Sequence, residues 1–133
     1  MCIFYKSGYK YQLCKNYTIN TGIKDLVFDI KSPYIDLTRH GMLAIRAGYA
    51  WDGATCAIDT KNFMRGSLVH DALYQLIDEK YLDQKYRLSA DQLLFRILRS
   101  DGMVWIRARL VYLAVRGFGR RFMAQPNPVL IAP

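Results

Sequence analysis

The order of patterns along the chain predicts an α+β fold, an N-terminal antiparallel β-sheet packed against a C-terminal three-helix bundle. Apolar and polar residues alternate through much of the first fifty positions, the period of a half-buried strand. From residue 62 onward apolar residues recur at spacings of three and four, the period of a helix. Strands gathered in one block and helices in another belong to α+β rather than to alternating βαβ units. The length, 133 residues with 52% hydrophobic and 23% charged, predicts one domain spanning 1–133 that builds its own core. Within it, 1–50 reads as mainly strands, 60–122 as mainly helices and 123–133 as an extended tail.

The elements follow in order. Tyr9, Tyr11 and Leu13 alternate with Lys10 and Gln12, and Tyr17 and Ile19 continue the parity, so a strand is expected there. Leu26 to Ile30 reads as a second strand, punctuated by Ser32-Pro33. Tyr34 to Leu37 and Met42 to Ala47 read as two more, joined by a turn at Thr38 to Gly41. Tyrosines separated by lysines suit a sheet with one wet face. Asn62 to about Lys80 carries Phe63, Leu68, Ala72, Leu73, Leu76 and Ile77 at helical spacing. Ser89-Ala90-Asp91-Gln92 reads as a capping box that opens a second helix, which stops near Gly102. Met103 to Phe118 is the third helix, closed by Gly117 and Gly119. The proline-bounded tail from Gln125 cannot be regular helix.

Nineteen Lys and Arg against eleven Asp and Glu give a net charge of +8, which favours partners with a negative face. Ten of the eleven acids are Asp, a bias toward turns, caps and metal ligation. Cys2, Cys14 and Cys56 are too few for a fully paired framework and lack metal-binding spacing, so reduced thiols are expected. The N-terminus lacks the apolar stretch of a signal peptide. The most apolar window, Met103 to Val115, is interrupted by Arg107 and Arg109 and is too short to span a bilayer. A soluble protein with no export signal and no transmembrane segment is therefore expected. His40 stands alone in a turn and receives no role.

The stretch from Gly48 to Tyr74 carries the candidate chemistry. His70 and Tyr74 lie four residues apart and share a helix face, which Asp71 borders. Asp91, in the first turn of the next helix, comes near His70 if the two helices pack antiparallel. A carboxylate on one ring nitrogen fixes the tautomer and leaves the other nitrogen free to take a proton, the arrangement of an oriented general base. His70, Asp91 and Tyr74 are accordingly the candidate catalytic residues. Asp52, with the carbonyls of its turn, and Asp71 are the candidate oxygen ligands for a hard cation such as calcium. No cofactor is otherwise expected. Each residue also has a purely structural reading. Asp52-Gly53 is a common turn dipeptide. Asp91 complements a helix dipole. His70 and Tyr74 then serve as hydrogen-bonded core residues.

The segments Gly48-Tyr49-Ala50-Trp51-Asp52-Gly53-Ala54, His70-Asp71-Ala72-Leu73-Tyr74 and Ala90-Asp91 resemble a family of small phage- and prophage-encoded proteins of unassigned function, over roughly residues 45 to 120. The resemblance implies a bacteriophage origin and no particular reaction. A looser likeness is to phospholipases A2, including the parvoviral capsid form, which also carry His-Asp-x-x-Tyr on a helix and a later Asp. That likeness implies His70 as the base for a water attacking a lipid ester, Asp71 as a calcium ligand and Asp91 as the residue orienting His70. The chain departs from it in offering a single glycine, Gly53, where those enzymes have a glycine-rich calcium loop, and in lacking a disulfide-rich composition.

From Arg96 to Arg121 there are seven arginines, with Asp101 the one acid among them. Arg109, Arg116 and Arg120, at i, i+7 and i+11, fall on one helix face. Such a run serves as a solvated face, a phosphate contact or a seat for an acidic protein surface. No sequence-reading nucleic-acid motif accompanies it. With the apolar tail Val129-Leu130-Ile131, these arginines form the expected partner-binding surface. Together the features are read as a phage-encoded structural or interaction protein, a tail or baseplate component of the virion. It is expected to dock onto other phage structural proteins through its C-terminal third, and to pass from the host cytoplasm into the particle. The alternatives are a metal-assisted hydrolase with a His70/Asp91 dyad and an intracellular phage accessory protein that binds a host component.

Overall fold

The computed structural model describes residues 5–6, 11–51 and 61–124, and the side chains of 11–51 and 61–117. The fold class is α+β: short antiparallel strands come first and three helices follow. The chain gathers into two compact units, residues 1–52 and 53–133.

The first unit holds two sheets where the sequence predicts one. Strands β1 (Tyr5–Lys6), β2 (Tyr11–Leu13) and β7 (Ala50–Trp51) form a three-stranded sheet in the order β1-β2-β7. Strands β3 (Tyr17–Asn20), β4 (Ile30–Lys31), β5 (Ile35–Leu37) and β6 (Met42–Ile45) form a second sheet in the order β3-β6-β5-β4. The apolar parity expected from Tyr11 to Ile19 holds, with Leu13 and Tyr17 both buried. The strand itself breaks at Cys14, Lys15 and Asn16, which are exposed. Two backbone bonds tie Leu13 to the far end of the unit: Leu13 N–H donates to Tyr49 O (2.8 Å) and Gly48 N–H to Leu13 O (2.7 Å). Asn16 Oδ1 accepts from Ala47 N–H at 2.8 Å. The chain therefore steps from one sheet to the other at this point.

In the second sheet Tyr17 and Ile35 oppose Ile45, while Ile19 and Leu37 oppose Leu43. Tyr17, Ile35, Leu37, Leu43 and Ile45 are buried, and Thr18, Asn20 and Met42 on the alternate parity are exposed. This is the one-wet-face sheet that the alternation predicts. The β5–β6 turn closes where expected, with Gly41 N–H donating to Thr38 O (2.9 Å) and Met42 N–H to Thr38 Oγ1 (3.1 Å). Gly41 has φ +97, and a Cβ there would collide with the carbonyl oxygen of Ile23. The strand expected over Leu26 to Ile30 is reduced to its last residue plus Lys31, because Val27 and Phe28 lie exposed in a bend and make no ladder.

The second unit is helical. Helix α1 spans Lys61–Asp78. Tyr81 N–H donates to Leu76 O (2.9 Å) and Lys80 N–H to Ile77 O (3.0 Å), a Schellman ending that places Lys80 at φ 69. Helix α2 spans Arg87–Ser100, three residues longer at its start than expected. The Ser89 cap does not form, because a 3-10 turn over Gln84–Tyr86 leads directly into the helix. Asp83 opens that turn, its Oδ1 accepting from Lys85 N–H at 2.8 Å. Ser89 and Asp91 consequently sit inside the helix, Asp91 in its second turn. The α2 end near Gly102 is as predicted: Met103 N–H bonds Leu98 O and Gly102 N–H bonds Arg99 O, with Gly102 at φ 96. Helix α3 spans Trp105–Ala124 and runs through Gly117 and Gly119 instead of stopping there. Glycine weakens a helix interior by roughly 1 kcal/mol but supplies no stop by itself.

All three helices meet in a core of Phe63, Leu94, Leu98, Met103, Ala108 and Val111, with Phe95 and Val115 packed against it. Burying each large side chain here contributes ~1.5–3 kcal/mol before ordering costs. Contacts between α1 and α2 run in opposite sequence directions, Arg65 with Asp101 and Tyr74 with Arg87, so the pair is antiparallel. The helices approach closely at Gly66, where a Cβ would lie 2.9 Å from both Leu94 Cδ1 and Leu98 Cδ2. At the same end Arg65 clamps Asp101 through Nη2 (2.8 Å) and Nε (3.0 and 3.2 Å), a bidentate pair that ties α1 to the α2 terminus.

Candidate functional site

The helical unit closes around one carboxylate. Asp91 is fully buried, an expensive position for a charge unless donors surround it. They do so from two neighbouring helices. His70 Nε2 and the Tyr74 hydroxyl on α1 each lie 2.6 Å from Asp91 Oδ1. Arg116 Nη1 on α3 lies 2.8 Å from Oδ2. The i, i+4 spacing sets His70 and Tyr74 side by side, with ring centroids 4.2 Å apart and planes tilted by 34°.

A second arginine braces the cluster. Arg87 Nε donates to the Tyr74 hydroxyl oxygen at 3.1 Å, and its Nη2 donates to the Arg116 carbonyl at 2.7 Å. Arg87 lies one turn before Asp91 on α2, so the same face reaches both Tyr74 and α3. No buried side-chain nitrogen or oxygen among the described residues lacks a hydrogen bond.

The electrostatics follow from these contacts. Burial by itself raises the Asp91 pKa, but the hydrogen bonds from His70, Tyr74 and Arg116 outweigh it and hold the carboxyl below its ordinary range. Burial, then the hydrogen bond to Asp91, pushes the Tyr74 phenol well above its ordinary value, and Arg87 opposes the shift. An ionised carboxylate only accepts, so with a neutral imidazole the shared proton sits on His70 Nε2. Nδ1 then carries the lone pair. The array can hold an imidazole in one tautomer and stabilise the imidazolium that proton uptake creates.

Of the residues expected at a catalytic centre, His70, Tyr74 and Asp91 are therefore brought together. Asp71, half-buried on α1, lies next to His70 in sequence, while the carboxylate that reaches the imidazole is that of Asp91. Asp52, the other expected cation ligand, lies outside the described residues, as does the rest of its turn. No group of three or more His, Cys, Asp or Glu among the described residues is arranged to hold a metal ion.

The expected docking face is divided. Arg116 is not a free surface cation: Asp91 takes its guanidinium inward, because a buried carboxylate needs a charged partner more than the solvent does. Arg109 is exposed, with its guanidinium carbon 6.0 Å from the Trp105 ring centroid. The side chain of Arg120, and Val129, Leu130 and Ile131, lie outside the described set. Sequence reasoning missed Arg87 and the inward role of Arg116. The signal for Arg87 was its i, i+4 spacing to Asp91, hidden by placing the helix start at Ser89.

No helix among the described residues is long and apolar enough to cross a membrane. In comparisons with protein-family models, curated proteins and solved structures, nothing matches the chain.

Proposed function

We infer that the chain is a hydrolase that activates water through a His70/Asp91 dyad, with a carboxylic ester as substrate and a lipid ester as the class its phospholipase-like motif implies. The observation that carries this reading is the 2.6 Å contact of His70 Nε2 with a fully buried Asp91 that Tyr74 and Arg116 also hold. His70 Nδ1 takes a proton from water as the water oxygen attacks the ester carbonyl. The imidazolium so formed is balanced by Asp91, and it returns the proton to the departing alkoxide, giving an acid and an alcohol. Tyr74 and Arg116 position Asp91 and keep it ionised, and Arg87 positions Tyr74. The His70 side chain retains 9% of its surface, and the proposed step needs water to reach Nδ1.

Calcium enters only as a proposal for Asp71 with the Asp52 turn, and no step of this mechanism runs through it. The setting proposed is a bacteriophage particle, as the three sequence segments imply. Arg109 is the exposed described member of the residues proposed to dock there.

The test is pH-stat titration of a short-chain phosphatidylcholine with the purified protein, with and without added calcium. Acid release by the parent, falling by ~10²–10⁴ in His70→Gln, is the expected outcome for loss of a general base. No release in either condition, or equal rates for the two proteins, overturns the reading.

A further inference from the structure

Helix α3 is apolar on two opposite sides. Ala108, Val111 and Val115 face the core of the helical unit. At 100° per residue, Ile106, Leu110 and Leu113 fall on the far side of the helix. They, with Val104 and Trp105 at the start, are between 49% and 62% exposed. A helix apolar all round ordinarily covers its second face with something.

The charges around this ridge narrow the choice of cover. After Asp101 the chain contains no acid, and among the arginines there whose side chains are described Arg109 is the exposed one. Arg109 is exposed beside the ridge and stacks near Trp105. A second copy on this face would bring one Arg109 toward another with no acid of the helix between them, which disfavours self-association. An apolar ridge with a tryptophan at one end and the exposed Arg109 beside it instead matches a helix lying in a lipid interface, where apolar insertion and attraction to anionic headgroups act together.

We propose that the outer ridge of α3, Trp105, Ile106, Leu110 and Leu113 with Arg109, docks the protein onto an anionic lipid surface. The helix lies in the interface and does not cross it. This surface is separate from the His70/Asp91 cluster, and binding is measured without any hydrolysis, so either reading can fail alone.

The experiment is co-sedimentation of the intact protein with vesicles of phosphatidylcholine alone or of phosphatidylcholine mixed with phosphatidylglycerol. The parent is expected to partition at least ~10-fold more strongly onto the anionic vesicles and to release as salt screens the headgroups. The triple variant Ile106→Ser, Leu110→Ser, Leu113→Ser should lose at least ~10-fold of that binding while melting like the parent. Should the triple variant not fold, Arg109→Glu serves in its place and should also weaken binding. Equal partition onto both vesicle types, or ridge variants that bind like the parent, overturns the proposal. So does a parent that ignores vesicles but is retained by immobilised polyglutamate, which assigns the ridge to an acidic polypeptide. A parent dimer that the ridge variants dissociate assigns it to a second copy and equally overturns it.

Discussion

Replacing Asp91 by Asn should be among the most damaging isosteric changes in the helical unit. The carboxylate is fully buried and accepts from His70 and Tyr74 at Oδ1 and from Arg116 at Oδ2. An Asn amide offers one acceptor oxygen and one NH2 group. Whichever way it turns, the NH2 opposes a donor, and Arg116 loses its counter-charge. Removing one member of a buried ion pair costs about 3–5 kcal/mol. Arg116 is 33% exposed and can turn partly to water, which places the expected loss lower, at about 2–4 kcal/mol. Urea unfolding at neutral pH reads this loss directly. The acid limb gives a second readout. The folded Asp91 pKa lies below the unfolded value of about 3.9, so its contribution is complete above that value and disappears as pH falls toward the folded one. The parent should lose this increment below about pH 4, and Asp91→Asn should not. A loss under about 1 kcal/mol at neutral pH would refute the view that Asp91 holds the three helices together.

Tyr74→Phe removes a donor to Asp91 and the acceptor for Arg87 Nε, and should cost about 1–3 kcal/mol by the same unfolding measurement. The folded Tyr74 pKa is raised, so its stabilisation is complete below the unfolded value of about 10 and declines above it; a parent alkaline loss that is missing in Tyr74→Phe is the expected signature. Lys80→Gly should stabilise by about 0.5–1 kcal/mol, since a glycine ends α1 at φ 69 without the strain of a Cβ; calorimetry showing a lower melting temperature would contradict that.

Much of this arrangement was legible in the sequence because it rests on periodicity. Leu43 and Ile45 alternate with Met42 and Ala44, and the structure buries the first pair. His70 and Tyr74 share a face because four residues make about one helical turn, and a short connection made α1 and α2 antiparallel enough to bring Asp91 to them. What escaped depended on contacts distant in the chain or on the exact start of an element. Asp83 opens a 3-10 turn that moves the α2 start to Arg87, and a capping box at Ser89 looks equally good locally. Arg116 belongs by spacing to an arginine face, yet its long side chain turns to a carboxylate 25 residues away in sequence. The break between the two sheets at Cys14–Asn16 preserves side-chain parity, so alternation alone does not reveal it.

The proposed function makes His70 and Asp91 one water-activating unit. Its most direct test is a double-variant cycle on ester hydrolysis, comparing the parent, His70→Gln, Asp91→Asn and the double variant at a temperature where all four are folded. Groups that act together are strongly non-additive, so the double variant should be no slower than His70→Gln alone, and Asp91→Asn should lose a large part of the same rate. Losses that simply multiply, or an Asp91→Asn protein that hydrolyses as fast as the parent, would contradict the account.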